Sequence, residues 1–146
     1  MATQRRAEVI WENDLLNGSG TIKEVGSGAF SDLPLSWSAR TEQSGGKTSP
    51  EELLAAAHAS CFAMAFSANL ARNKTPPQRL NVTAVCTFDK VGEGWKVTTM
   101  DLSVIGKVSG IDQMKFDEVA RKAEQGCPIS NAIRNNVEIK LNAKLE

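Results

Sequence analysis

The chain has 146 residues, 17 Lys plus Arg against 17 Asp plus Glu, and 41% hydrophobic residues, which suits one domain over residues 1–146 with a real core. A formal net charge of zero excludes the large positive field of a nucleic-acid binder and the polybasic surface that docks on anionic membranes. No uninterrupted apolar run approaches the roughly 20 residues of a membrane span, and the opening MATQRRAEVIWEND has no apolar h-region.

The first 40 residues carry Gly-rich turns, NGSG at 17–20 and GSG at 26–28, between the short runs AEVIW and TIKEV, the pattern of a β-meander. After Pro34, LSWSAR alternates, with Leu35, Trp37 and Ala39 on one side and Ser36, Ser38 and Arg40 on the other, so Arg40 is expected at the end of a strand's polar face. A polar loop leads to Ser49-Pro50-Glu51-Glu52. There Ser49 can cap a helix, Pro50 suits its first position and Glu52 completes a capping box. The helix is expected to run to Lys74, about 37 Å, until Pro76-Pro77 stops it. With few strongly polar residues between Leu53 and Ala68, it is expected to be buried nearly all round, and its many alanines permit close helix–helix approach, as in a homodimer.

LNVTAVCTFD places Leu80, Val82, Ala84, Cys86 and Phe88 on one face of a strand, and GEG at 92–94 turns into WKVTTMDLSVIG, an antiparallel hairpin. In IDQMKFDEVARKAEQG, Asp112 can cap a helix whose apolar face is Phe116, Val119, Ala120 and Ala123, with Gly126 at its end. Pro128 opens a short helix, and Val137, Ile139, Leu141, Ala143 and Leu145 alternate as a last strand with one buried face. Helices interleaved with sheets, without a β-α-β rhythm, argue for an α+β fold.

The chemistry-bearing residues are few. Cys61, Cys86 and Cys127 are an odd, sparse set, unlike a secreted disulfide framework, and point to a reducing cytoplasm. With His58 the only imidazole and no C-x-x-C pair, a structural zinc would need carboxylates, so no metal is expected, and no cofactor motif is present. Cys86, in register with apolar neighbours, reads as a small core hydrophobe, and Cys61 on an apolar helix allows the same reading. Cys127 precedes Pro128 at a helix N-cap, where backbone N–H groups favour a thiolate. His58 lies three residues before Cys61, near enough to influence it, although a lone His in an apolar helix also suits a hydrogen-bonded core position. Taken singly, Arg40 and Glu51 are ordinary products of solvation and the helix dipole.

SPEELLAAAHASCFAMAF, with SWSAR upstream and QGCPIS downstream, resembles the OsmC/Ohr family, the osmotically inducible protein C and organic hydroperoxide resistance proteins. The likeness extends over essentially the whole chain, and the His favours the OsmC branch. The resemblance implies antiparallel sheets around a long central helix in an intertwined homodimer. It also implies a thiol peroxidase for organic hydroperoxides, acting in oxidative or osmotic stress defence. Carried over, Cys61 matches the peroxidatic position, Cys127 the resolving one, Arg40 the thiolate-stabilising Arg and Glu51 its carboxylate partner. The external reductant would be a dithiol, such as dihydrolipoyl groups.

A free thiol is only about 3% thiolate at pH 7, whereas a pKa near 6 would make it about 90%; an adjacent guanidinium supplies such a shift. Glu51 and Cys61 are ten residues apart on one helix, about 15 Å along its axis, so the Arg-Glu pair serving Cys61 is expected from the second subunit. Phe62, Met64, Phe66, Trp37 and Ile129 are expected to wall a site for alkyl or lipid hydroperoxides. Two other readings remain open: a redox sensor or ligand-binding dimer without turnover, and a structural dimer with inert cysteines.

Overall fold

The computed structural model describes residues 1–146, which divide into two units, Met1–Pro50 and Glu51–Glu146. In the first, β1 (Ala7–Glu12), β2 (Ser19–Val25) and β3 (Ser31–Leu35) form the expected antiparallel meander, in that order. Gly20 pairs across from Trp11, and a Cβ there would stand 2.6 Å from the indole ring, so glycine is what lets the ring lie flat on the strand.

The alternation of LSWSAR ends early. β3 stops at Leu35, and Trp37–Thr41 is a short helix, α1, which corrects the strand expected through Arg40. Ser36 is the reason: its Oγ accepts the Ala39 N–H at 3.2 Å and its carbonyl accepts that of Arg40. This N-cap outweighs an apolar alternation of only three residues. Arg40 therefore sits in the last turn of a helix.

The second unit is built on α2 (Pro50–Arg72), β4 (Arg79–Val91), β5 (Gly94–Lys107), α3 (Gln113–Gly126), α4 (Pro128–Ile133) and β6 (Glu138–Leu145). Pro50 is the first residue of α2, with Glu51 and Glu52 in its first turn, where carboxylates complement the helix dipole. The helix ends where Lys74 turns left-handed (φ 63°). The Thr75 N–H then donates to Leu70 O and the Lys74 N–H to Ala71 O, both at 2.9 Å, a Schellman closure. Pro76 and Pro77 follow.

β4 and β5 pair as the expected hairpin through the two-residue turn Gly92-Glu93. The sheet order is β4-β5-β6, but β6 runs parallel to β5, so this sheet is mixed rather than wholly antiparallel, and one β-α-β unit is present. A parallel neighbour needs a crossover of a dozen residues or more, which α3 and α4 supply. Asp112 caps α3 by accepting the Lys115 N–H at 2.8 Å.

The core joins Phe62, Phe66 and Leu70 of α2, Leu102 and Val104 of β5, and Phe116, Val119, Ala120 and Ala123 of α3, with Cys127 at its edge. The Phe66 and Phe116 rings lie 4.9 Å apart. Phe116 presses so closely on Gly106 that a Cβ there would be 2.5 Å from the ring. The burial of α2 differs from expectation. His58, Phe62, Phe66 and Leu70 form a stripe at four-residue spacing, while Ala56, Ala57, Ser60 and Ala68 are exposed and Met64 is 68% exposed. α2 is long and apolar enough to cross a membrane by composition, yet its Phe62, Phe66 and Leu70 are committed to this core. An Ala-rich surface carries little charge even where it faces outward, so apolar composition did not discriminate a buried face from an open one.

Candidate active site

Cys61 and Cys127 meet at one end of the core. Cys61 is half-buried on α2, whereas Cys127, the N-cap residue of α4, is fully buried. The two free thiols lie 3.2 Å apart, with the Cys127 S–H directed at Cys61 Sγ. Closing a disulfide of about 2.05 Å from there needs a shift of about 1.1 Å.

The backbone N–H of Ile129 also hydrogen-bonds Cys61. Pro128 lacks an N–H and occupies the first position of α4, so the first amide this helix can offer is that of Ile129. Burial pushes the Cys61 thiol above the ordinary cysteine value. The Ile129 N–H works against that shift, and the Cys127 sulfur, a second potential anion, adds to it. This direction is opposite to that of a thiol activated by an adjacent guanidinium. The residues of the C-terminal unit therefore position Cys61 without ionising it.

Cys86 is half-buried on β4 rather than sealed in the core. Burial raises its thiol, and the charge of Glu51 raises it further. Glu51 is buried in the first turn of α2, about 15 Å along the helix axis from Cys61. Arg40 belongs to the N-terminal unit, its guanidinium 5.8 Å from the centre of the Trp37 ring. It lines a cavity of about 320 Å³ with Trp11, Leu15, Leu35 and Trp37. Of the five residues expected to wall a hydroperoxide site, Phe62 and Phe66 face the core at 0% exposure and are removed from that role; Ile129 packs against the core edge and Met64 is exposed. No group of three or more His, Cys, Asp and Glu is placed to hold a metal ion.

His58 is fully buried, with Nε2 2.7 Å from Ser130 Oγ on α4, and its Nδ1 has no partner. A buried N–H without an acceptor is rarer than a bare acceptor, which places the proton on Nε2 as the donor to Ser130. Burial lowers the His58 pKa below the ordinary value; Glu124 opposes this and Arg134 reinforces it. Those two groups form an ion contact of 2.9 Å between Glu124 Oε1 and Arg134 Nη2, off-line as a hydrogen bond. Ser130 was not singled out in sequence, and Ile129 was expected only as an apolar wall residue, not through its backbone N–H. The available signal was CPIS itself, a proline at a helix start followed by free amides.

The OsmC-like protein family model matches residues 43–142. Peroxiredoxin OsmC of Escherichia coli (strain K12) is 36% identical over 95% of this chain and 96% of that protein. An organic hydroperoxide resistance protein of Xanthomonas axonopodis pv. citri is 32% identical over 66% of this chain and 67% of its own length. Among solved structures, the organic hydroperoxide resistance protein OsmC of Legionella pneumophila superposes with a TM-score of 0.70 at 26% identity, covering 95% of this chain and 96% of that one. With its α+β architecture and its paired thiols, the chain belongs to the OsmC-like protein family.

Proposed function

We propose that this chain is a cysteine-based peroxidase that reduces organic hydroperoxides to alcohols with electrons from an external dithiol, in defence against oxidative or osmotic stress. The observation that carries this reading is the asymmetry of the thiol pair: half-exposed Cys61 beside fully buried Cys127, sulfur to sulfur at 3.2 Å. The names of the relatives, peroxiredoxin and organic hydroperoxide resistance protein, support it.

The Cys61 thiolate attacks a peroxide oxygen, the O–O bond breaks, and the departing alkoxide takes up a proton to leave as the alcohol. Sulfur has lost two electrons and stands as a sulfenic acid. Cys127 then attacks that sulfur, forming the Cys61–Cys127 disulfide and releasing water. A dithiol such as a dihydrolipoyl group restores both thiols by exchange. Burial suits Cys127 to this second role, because a thiol sealed from solvent reaches the sulfenic acid without competing for the peroxide.

Ionising Cys61 needs a cation. In this reading Arg40 supplies it and Glu51 orients it, the pair coming from the partner subunit of a homodimer. Two observations favour a dimer: the exposed Ala-rich face of α2, and the roughly 15 Å between Glu51 and Cys61 on one helix. The sensor reading shares the same attack step, which the upward shift of the Cys61 thiol in the single chain slows in either case, and differs only in turnover. Steady-state consumption of an alkyl hydroperoxide with excess dihydrolipoamide separates the two. Many turnovers per chain are expected; a single stoichiometric loss of hydroperoxide would leave the sensor.

A further inference from the structure

His58 and Ser130 are both fully buried and belong to no step described above, yet they join the two helices that carry the thiols. His58 lies three residues before Cys61 on α2, and Ser130 three residues after Cys127 on α4. The Nε2 to Oγ hydrogen bond of 2.7 Å therefore runs alongside the sulfur contact, about one helical turn away. α4 is only six residues long, and its N-cap Cys127 makes no side-chain capping bond, so the short helix does not hold itself in register. At its far end Arg134 reaches back to Glu124, which ties α4 to α3 but not to α2.

We propose that His58 is a positioning residue for the resolving step, holding α4 through Ser130 so that Cys127 meets the Cys61 sulfenic acid and the Ile129 N–H stays on Cys61. The tie is most consequential after oxidation, when the sulfurs must close by about 1.1 Å while more hydroperoxide competes for the same sulfur. A looser α4 lowers the effective concentration of Cys127 and leaves the sulfenic acid open to overoxidation. The proposal rests on the peroxidase reading, because it concerns the fate of oxidised Cys61.

The test uses the full chain. One equivalent of cumene hydroperoxide is added to the reduced protein, and disulfide formation is followed in stopped flow. Mass spectrometry then measures the hydroperoxide concentration at which half of Cys61 becomes sulfinic acid. Ser130→Ala and His58→Leu are each expected to slow disulfide formation about tenfold, as loss of one buried hydrogen bond implies, and to lower the half-overoxidation concentration in step. Ser130→Thr keeps the hydroxyl and is expected to restore both values.

The double variant His58→Leu/Ser130→Ala leaves neither partner of this bond buried and unpaired. It is therefore expected to regain thermal stability while resolving as slowly as the single variants. It also carries the comparison if either single variant fails to fold. Parental resolution in the double variant would overturn the proposal, and so would recovery of resolution together with stability, which marks a purely structural bond. If the parent chain itself shows no sulfenic acid or disulfide with cumene hydroperoxide, the peroxidase reading fails instead, a result distinct from the others.

Discussion

Cys61 and Cys86 are both half-buried thiols, and burial raises both, yet their neighbours divide them. Cys61 has a backbone N–H and a second thiol at hydrogen-bond distance; Cys86 has the charge of Glu51, which makes its thiolate harder to form. Exposure and direction of shift alone would rank them alike. In the proposed reading, Cys61 stands where an oxidised sulfur is captured, whereas Cys86 stands beside the charge of Glu51. On that reading, reactivity is a property of the neighbouring elements, not of the cysteine's own strand or helix.

The comparison breaks most sharply on replacing each thiol. Cys61→Ser is expected to lower hydroperoxide turnover about 10³-fold or more, while Cys86→Ser stays within about twofold of the parent; equal losses in a coupled dithiol assay would erase the distinction. Next in size, Cys127→Ser is expected to consume one equivalent of hydroperoxide and then stall, with sulfinic Cys61 accumulating in the mass spectrum. Continued multiple turnover would remove Cys127 as the resolver.

Arg40→Ala is expected to cost about ten- to a hundredfold in attack, as loss of a charge-assisted contact would, and to move pH-dependent alkylation of Cys61 to higher pH. Cys86 alkylation should not respond. Mixed with Cys61→Ser chains, it should recover activity through heterodimers that hold one intact site; no recovery after verified subunit exchange would rule out the shared geometry. The smallest effect concerns pH and stability. The folded-state pKa of His58 is lowered, so the unfolded chain binds a proton that the native state refuses. Stability is thus full above about pH 6.5 and is lost as pH falls from there through the folded value. Glu124 and Arg134 are the charged groups that act on the ring, in opposite directions. His58→Leu should flatten that part of the stability curve measured by urea unfolding at several pH values.

Much of the fold was legible because local rules were strong. Asp112 at the start of α3, its apolar face, the β4–β5 hairpin and the alternation of β6 lie where side-chain period and capping place them. LSWSAR was misread because three alternating residues weigh less than the Ser36 cap. The parallel placement of β6 was missed because alternation says which face is buried and nothing about strand direction. In the site, the pairing of Cys61 with Cys127 came from resemblance rather than from spacing, since a separation of 66 residues carries no geometric information. Phe62 and Phe66, expected at the substrate, went to the core because they share the four-residue stripe of His58 and Leu70. Ile129 and Ser130 act through an amide and a hydroxyl whose direction exists only once α4 has docked.

By itself, then, the sequence determined most of the helices and strands, LSWSAR excepted, and which cysteines are free of any framework, because caps, prolines and side-chain period act over a few residues. Only the tertiary structure decided that α2 is buried on one stripe alone, that β6 is parallel, and that two thiols, an N–H and a His–Ser bond converge at one end of the core. Those outcomes depend on the packing of elements far apart in the chain, which no local pattern encodes.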